Sequence, residues 1–229
     1  CDAVIGVDAS DQVDSQSVLE YLERSNLFVV PLDDERRWYR YHHLFADLLR
    51  RRAQREIPAL VPDLHRRASA WYEEHGFVAE AVGHGLSAGD FKRAADLIEQ
   101  AGWVTFTRGE MTTILDWVAS LPEDLVRSRP RIRVLNAWAM AKSGHLEGVE
   151  VSLEDIDARQ FQGEVAAVRA YLAGVRRGLS RAVELAQQAL RRLPEENMLL
   201  RAIVAQNLGV AYHWSGDSTA AVRTLTRAV

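Results

Sequence analysis

The stretch LGVAYHWSGDSTAAVRTLTRA, residues Leu208 to Ala228, decides how the chain is organised. Leu208 and Gly209 are followed three residues later by Tyr212, and Gly216 stands four residues beyond. Ala221, Leu225 and Ala228 then recur at spacings of four and three. Spacings of three and four put side chains on one face of a helix. A glycine in between ends the first helix, because only glycine adopts a left-handed backbone without strain. The stretch is therefore a pair of helices joined by a tight turn. Small residues line the facing sides, which lets the two backbones approach closely.

The same plan occurs twice upstream. SAGDFKRAADL (Ser87 to Leu97) and KSGHLEGVEVSL (Lys142 to Leu153) each end a helix at a glycine. Five residues later each opens a packing face with a small or apolar residue, Ala94 and Val149, where the last unit has Ala221. The unit before the last keeps only its second half: Ala182, Ala186, Ala189 and Pro194. This layout resembles the tetratricopeptide repeat, whose pattern is L-G-x-x-Y followed by small and bulky residues at fixed offsets. Ala182 and Ala221 are 39 residues apart, more than the usual repeat of about 34, so the units are lengthened and irregular. Stacked pairs of this kind bury each open face on the next pair. Residues 58–229 are accordingly read as a right-handed tetratricopeptide-like α-solenoid of about ten short helices. The chain stops inside the second helix of a unit and does not begin with Met, so the expectation is a fragment.

Residues 1–57 read differently. SQSVLEYLERSN (Ser15 to Asn26) is a short amphipathic helix. LFVVPL (Leu27 to Leu32) and RWYRYH (Arg37 to His42) are rich in β-branched and aromatic residues, with Asp33, Asp34 and Glu35 between them. Two such runs around a short acidic segment predict a β-hairpin over about residues 27–42. Trp38 and Arg40 should share one face and Tyr39 and Tyr41 the other. Leu44, Phe45, Leu48 and Leu49 then return to helical spacing, with Arg50, Arg51, Arg52 and Arg55 late in the helix, where cations suit its negative end. Helix, hairpin, helix is the second half of a winged-helix domain, and Pro58 and Pro62 mark the boundary after it. Downstream, Pro122 and Pro130 each suit the first position of a helix.

Composition narrows the function. The 229 residues are 48% apolar and 26% charged, with a formal net charge of −4. That is an ordinary globular composition without the basic excess of a dedicated nucleic-acid module. The one cysteine, Cys1, allows no disulfide framework within the chain and fits a reducing, cytoplasmic setting. No apolar run approaches the ~18 residues that a membrane helix needs. There is no G-x-S-x-G elbow, and Cys1 is terminal, so an enzyme is not expected and no catalytic residue is assigned.

Three segments carry a further resemblance. NLFVVPLDDERRWYRYHHLFADLLRRR, LHRRASAWYEEHGFVAEAVGHGLSAGDFKRAADLIEQAG and GEMTTILDWVASLPEDLVRSRPRIRVLNAWAMAKSG resemble the large ATP-binding LuxR-type (MalT-like) transcriptional regulators, which are signal-transduction ATPases with numerous domains. Members of that family run from a P-loop ATPase through a winged helix and a tetratricopeptide-like sensor to a LuxR-type helix-turn-helix. The resemblance implies that this chain spans the end of the winged helix and the start of the sensor. It contains no G-x-x-x-x-G-K-[ST], so ATP or ADP would be a cofactor of the longer parent only. It implies a parent that passes from an ADP-bound monomer to an ATP- and inducer-bound oligomer. DNA would be bound only through a C-terminal helix-turn-helix outside this chain. The partner expected on the solenoid is a small-molecule or protein effector, and no membrane is involved.

Within that frame His42, directly after YRY, matches the winged-helix histidine that reaches the ADP phosphates in the family. The other reading is a histidine packed at the strand-to-helix junction. His42 and His43 are adjacent and lack further ligands at metal spacing, so no metal site is assigned. Asp33, Asp34 and Glu35 read as solvated acids at a hairpin tip. Arg36, Arg37 and Arg40 interleave with Trp38, Tyr39 and Tyr41, which suits packing better than single-stranded nucleic acid. Trp71, Trp103, Trp117, Trp138 and Trp214 belong mostly to the inter-helix core, with one or two available to line a groove. A helical-repeat scaffold that binds a protein partner is the alternative to an effector sensor.

Overall fold

The computed structural model describes Val4, residues 15–156 and residues 160–227. Cys1 and Ala228, used in the reading above, lie outside the described residues. The described chain is mainly α, with 13 helices and one two-stranded sheet. It divides into two compact units, Cys1–Leu97 and Ile98–Val229.

In the first unit α1 (Ser15–Arg24) leads into β1 (Val29–Pro31) and β2 (Tyr39–Tyr41). The strands pair antiparallel with Val30 opposite Arg40. Backbone hydrogen bonds from Leu32 to Trp38 and from His42 to Phe28 extend the ladder at both ends. The hairpin thus falls where the alternation predicts it. α2 (His43–Glu56) follows, then α3 (Val61–Glu74) and α4 (Val78–Ser87), which pack together. Ala68, Ala81 and Val82 form their seam, and the buried Ser69 hydroxyl donates to the Ala81 carbonyl at 2.8 Å. Helix α5 (Phe91–Thr107) runs across the division between the units.

The second unit continues with α6 (Met111–Ala119), α7 (Glu123–Arg127), α8 (Pro130–Lys142), α9 (Glu147–Leu153), α10 (Gln162–Val175), α11 (Leu179–Arg192), α12 (Met198–Trp214) and α13 (Ser218–Arg227). From α3 onward this makes eleven helices where the pattern predicts about ten. Pro130 opens α8 as expected, whereas Pro122 caps α7 from one position outside it. Proline's fixed φ serves either place, because neither requires a backbone N–H.

Helices α8, α10 and α12 each pack on the helix that follows, and α10 packs on both α8 and α12. That is the stacking of repeat pairs. The residues that the repeat alignment equates, Ala94, Val149 and Ala221, are all buried, and so are Ala182, Ala186 and Ala189. Packing is tight enough that a Cβ on Gly163 would stand 2.8 Å from the Leu193 backbone nitrogen. The turns share one geometry. Gly144 and Gly216 have φ of +83° and +88°. The next amide in each turn, His145 or Asp217, reaches back to the carbonyl five residues earlier, Met140 or Tyr212. This is the Schellman closure that glycine permits. After α10 the same closure is built with Arg177 at φ +60°, and a non-glycine residue there carries about 1 kcal/mol of strain. The glycine sits one position late, at Gly178, and this is the unit whose first half the sequence pattern does not show.

Candidate functional site

Asp33 organises the hairpin end. Its Oδ1 accepts from the backbone N–H of Arg37 at 2.9 Å and of Trp38 at 3.1 Å. The acids at this tip are thus not all free in solvent, because a short carboxylate so placed closes its own turn. Arg36 is paired with Glu23, at 3.3 Å, and Arg37 with the neighbouring Glu35. Trp38 meets Trp71 and Phe77 edge-on, at centroid distances of 6.1 and 5.3 Å. Tyr41 and Phe28 both lean on Phe45. The alternating aromatics are therefore packing groups, and Arg50 and Arg52 pair along their own helix with Asp47 and Glu56.

The well-formed β2–α2 junction sets His42 at the N-cap of a 14-residue helix. Its imidazole makes no capping bond and is exposed, tilted against His43 at 4.4 Å between ring centroids. At this junction the His42 residue is exposed. At a helix start the unpaired amides and the dipole both favour an anion, and an imidazole can add a donor. Among the described residues no three His, Cys, Asp or Glu side chains gather closely enough to hold a metal.

A second histidine pair lies outside the sequence reading. His65 on α3 and His84 on α4 meet Nδ1 to Nδ1 at 2.8 Å, and Tyr72 stacks on His84. Such a bond needs one protonated and one bare nitrogen. Burial, and then the Arg50 charge, hold His65 below the ordinary imidazole value. Burial and His65 lower His84, against a smaller opposing pull from Glu80. The signal was 19 residues long in sequence, across a turn, with no motif to mark it.

In the second unit α10, α11 and α12 enclose a groove of about 210 Å³. Ala182 and Ala186 of α11 line it with Gly174, and Tyr171, Asn207 and Trp214 also face it. Trp214 is 71% exposed, so it departs from the core role given to most of the tryptophans. Trp138, by contrast, is wholly buried between Phe106 and Tyr171. The Asn207 amide nitrogen is buried with no hydrogen-bond partner. Lys142 holds its amine 4.3 Å from the centre of the Tyr171 ring. Burial pushes the Tyr171 phenol above its ordinary value.

A hairpin followed by a helix capped at His42, in a chain that goes on as stacked helix pairs, is the layout of a winged helix joined to a repeat array. Residues 1–61 match the family described as the MalT winged helix domain. The chain is 32% identical over 211 residues to the HTH-type transcriptional regulator MalT of Cronobacter sakazakii (strain ATCC BAA-894), covering 89% of this chain and 23% of that protein. It is 44% identical over 124 residues to the serine/threonine-protein kinase PknK of Mycobacterium tuberculosis (strain CDC 1551 / Oshkosh), covering 54% of this chain and 11% of that protein. PknK of Mycobacterium bovis (strain ATCC BAA-935 / AF2122/97) matches to the same extent. No solved structure matches the chain. By these matches the chain is MalT-like, with a winged helix domain at its start. It spans a small part of the length of the curated relatives it matches. No helix among the described residues is long and apolar enough to cross a membrane.

Proposed function

We propose that this chain is the regulatory and sensing segment of a MalT-like, LuxR-family, ATP-dependent transcriptional regulator. It relays effector binding on its helix pairs, through the winged helix, to a nucleotide-binding domain and a DNA-binding domain that lie elsewhere in the parent. The observation that carries this reading is the company the segment keeps. Relatives named a transcriptional regulator and a protein kinase share it. What two different outputs have in common is better read as control than as either output. The segment itself is then non-catalytic and cytoplasmic.

His42 has the nucleotide role in this reading. Exposed at the start of α2, it donates to a phosphate of ADP held by the parent's ATPase domain and keeps the resting state closed. An inducer that binds the open form more tightly shifts the population toward an ATP-bound, self-associating state, by no more than its differential affinity. The test begins with the reading frame around this chain. A G-x-x-x-x-G-K-[ST] upstream and a helix-turn-helix downstream are expected. A frame with neither removes the regulator and leaves a repeat scaffold. In the parent, His42→Ala should weaken ADP retention about tenfold, the loss of one charge-assisted hydrogen bond, and unchanged retention would remove His42 from the mechanism.

A further inference from the structure

Helices α3 and α4 are joined by a bond that a single added proton breaks. His65 on α3 and His84 on α4 meet Nδ1 to Nδ1 at 2.8 Å, with ring centroids 5.0 Å apart. At those distances the rings meet nearly head-on. The two nitrogens therefore point at each other and not at a shared third point where a metal would sit. One nitrogen donates and the other accepts, and a doubly protonated pair would set two N–H groups and two charges against each other. The pair is also tied to the hairpin. Tyr72 lies flat on His84, at 5.3 Å between ring centroids and 14° between ring planes. Tyr72 in turn touches Trp71 and Phe77, and those two rings hold Trp38 of the hairpin. A run of rings thus leads from the histidine pair to the start of β2. The groups around the pair leave the proton to the imidazoles. Arg50 on α2 opposes a positive charge on His65. Glu80, one turn before His84, favours a charge there, but by less than burial and His65 oppose it. Burial, and then Glu80, raise the Tyr72 phenol, which stays neutral. From α5, Arg93 is held by Glu73 and Ser69.

We propose that the His65–His84 bond is a proton-operated catch. Closed while both rings are neutral, it holds α3 against α4 and fixes the aromatic seat of Trp38. Opened by protonation, it releases the hairpin from that seat. Burial is the first cause that holds both rings below the ordinary imidazole value, whereas in the open form they are solvated. The catch therefore stays closed at neutral pH, and the open form gains as the pH falls below about 6.5. Histidine suits this place because its charge changes within the physiological range, and a switch needs only a local charge change and an element that it biases. The element here is the hairpin, whose posture then follows proton concentration independently of any effector on the later helices.

The test is an NMR titration of the 229-residue chain from about pH 8 to about pH 5, reading the imidazole nitrogens of His65 and His84 and the indole N–H of Trp38. The two imidazoles are expected to titrate below the ordinary value, and the Trp38 resonance to shift with the same midpoint. Tyr72→Leu interrupts the run of rings, so the pair should still titrate while the Trp38 shift loses at least half of its amplitude. His65→Gln combined with His84→Gln keeps a donor and an acceptor between the helices without a titrating group, and Trp38 should then not respond. His75→Gln is the control, because His75 stacks on Trp71 at 3.9 Å, and it should leave the Trp38 response in place. A Trp38 resonance that ignores the pair's midpoint, a response that survives the double glutamine variant, or one lost in His75→Gln alone would each overturn the proposal. If the double variant does not fold, the wild-type nitrogens decide. Two rings that titrate separately at about 6.5 would mean that no such bond exists.

Discussion

Residues 15–60 and residues 98–227 keep apolar surface from water in opposite ways. In the first region Val29, at 6% exposure, is the one buried apolar residue among those described, while Tyr21, Phe28, Leu44 and Leu48 remain 57–67% exposed. In the second, Ile114, Ile132, Trp138, Val149, Val168 and Ala189 are all at 0%. Burying such a side chain contributes ~1.5–3 kcal/mol, so the helix pairs hold themselves together, whereas the hairpin and its flanking helices present their apolar residues outward. A region built like that is suited to contact a neighbour. Stability sits in the repeats, and exposed apolar surface is concentrated in the hairpin and its flanking helices.

The comparison breaks most sharply at Trp138. Trp138→Ala removes a wholly buried ring that touches Phe106 and Tyr171, at a cost of about 3–5 kcal/mol. Urea unfolding followed by circular dichroism should show the repeats melting first; an unchanged midpoint would mean that the ring is not part of a packed core. Gly163→Ala comes next. Its new methyl meets the Leu193 and Arg192 backbone, and overpacking there should cost ~1–3 kcal/mol, read from the same transition.

A pH titration sharpens the contrast between the units. His65 and His84 both have lowered folded pKa values, so the unfolded chain takes up protons first as pH falls. The unit that holds them should lose stability below about pH 6.5, the unfolded imidazole value, and keep it above. Melting profiles at pH 5.5 and 7.5 should differ for the wild type and differ less for His84→Gln. An equal slope in both proteins would show that the pair does not titrate. The smallest effect is expected at Asp33→Ala. Losing two amide bonds from a half-buried carboxylate should cost about 1 kcal/mol and speed hydrogen exchange at Arg37 and Trp38. The repeat transition should not move.

Much of this was legible in residue spacing. The hairpin was visible because β-branched and aromatic runs flank three acids, and the repeat turns because Gly89, Gly144 and Gly216 stand at equal offsets from buried Ala94, Val149 and Ala221. The unit closed by Arg177 was half hidden, since its turn adopts the geometry without the residue that signals it. The groove could be expected in kind but not placed. Whether Trp214 or Trp138 faces water depends on which side of each helix its neighbours cover, and that is a tertiary fact. His65 and His84 were invisible for the same reason, because two unrelated helix positions meet only when α3 packs on α4. His42 was legible as a residue, and its exposure at a helix start was not.

The most direct measurement is hydrogen exchange on the longer protein that contains this chain, with and without ADP. The account predicts that ADP protects the amides of residues 39–45, around His42, while residues 162–214, already packed, do not change. No protection at 39–45, or protection confined to the repeats, would contradict the division of labour and the place of His42 in it.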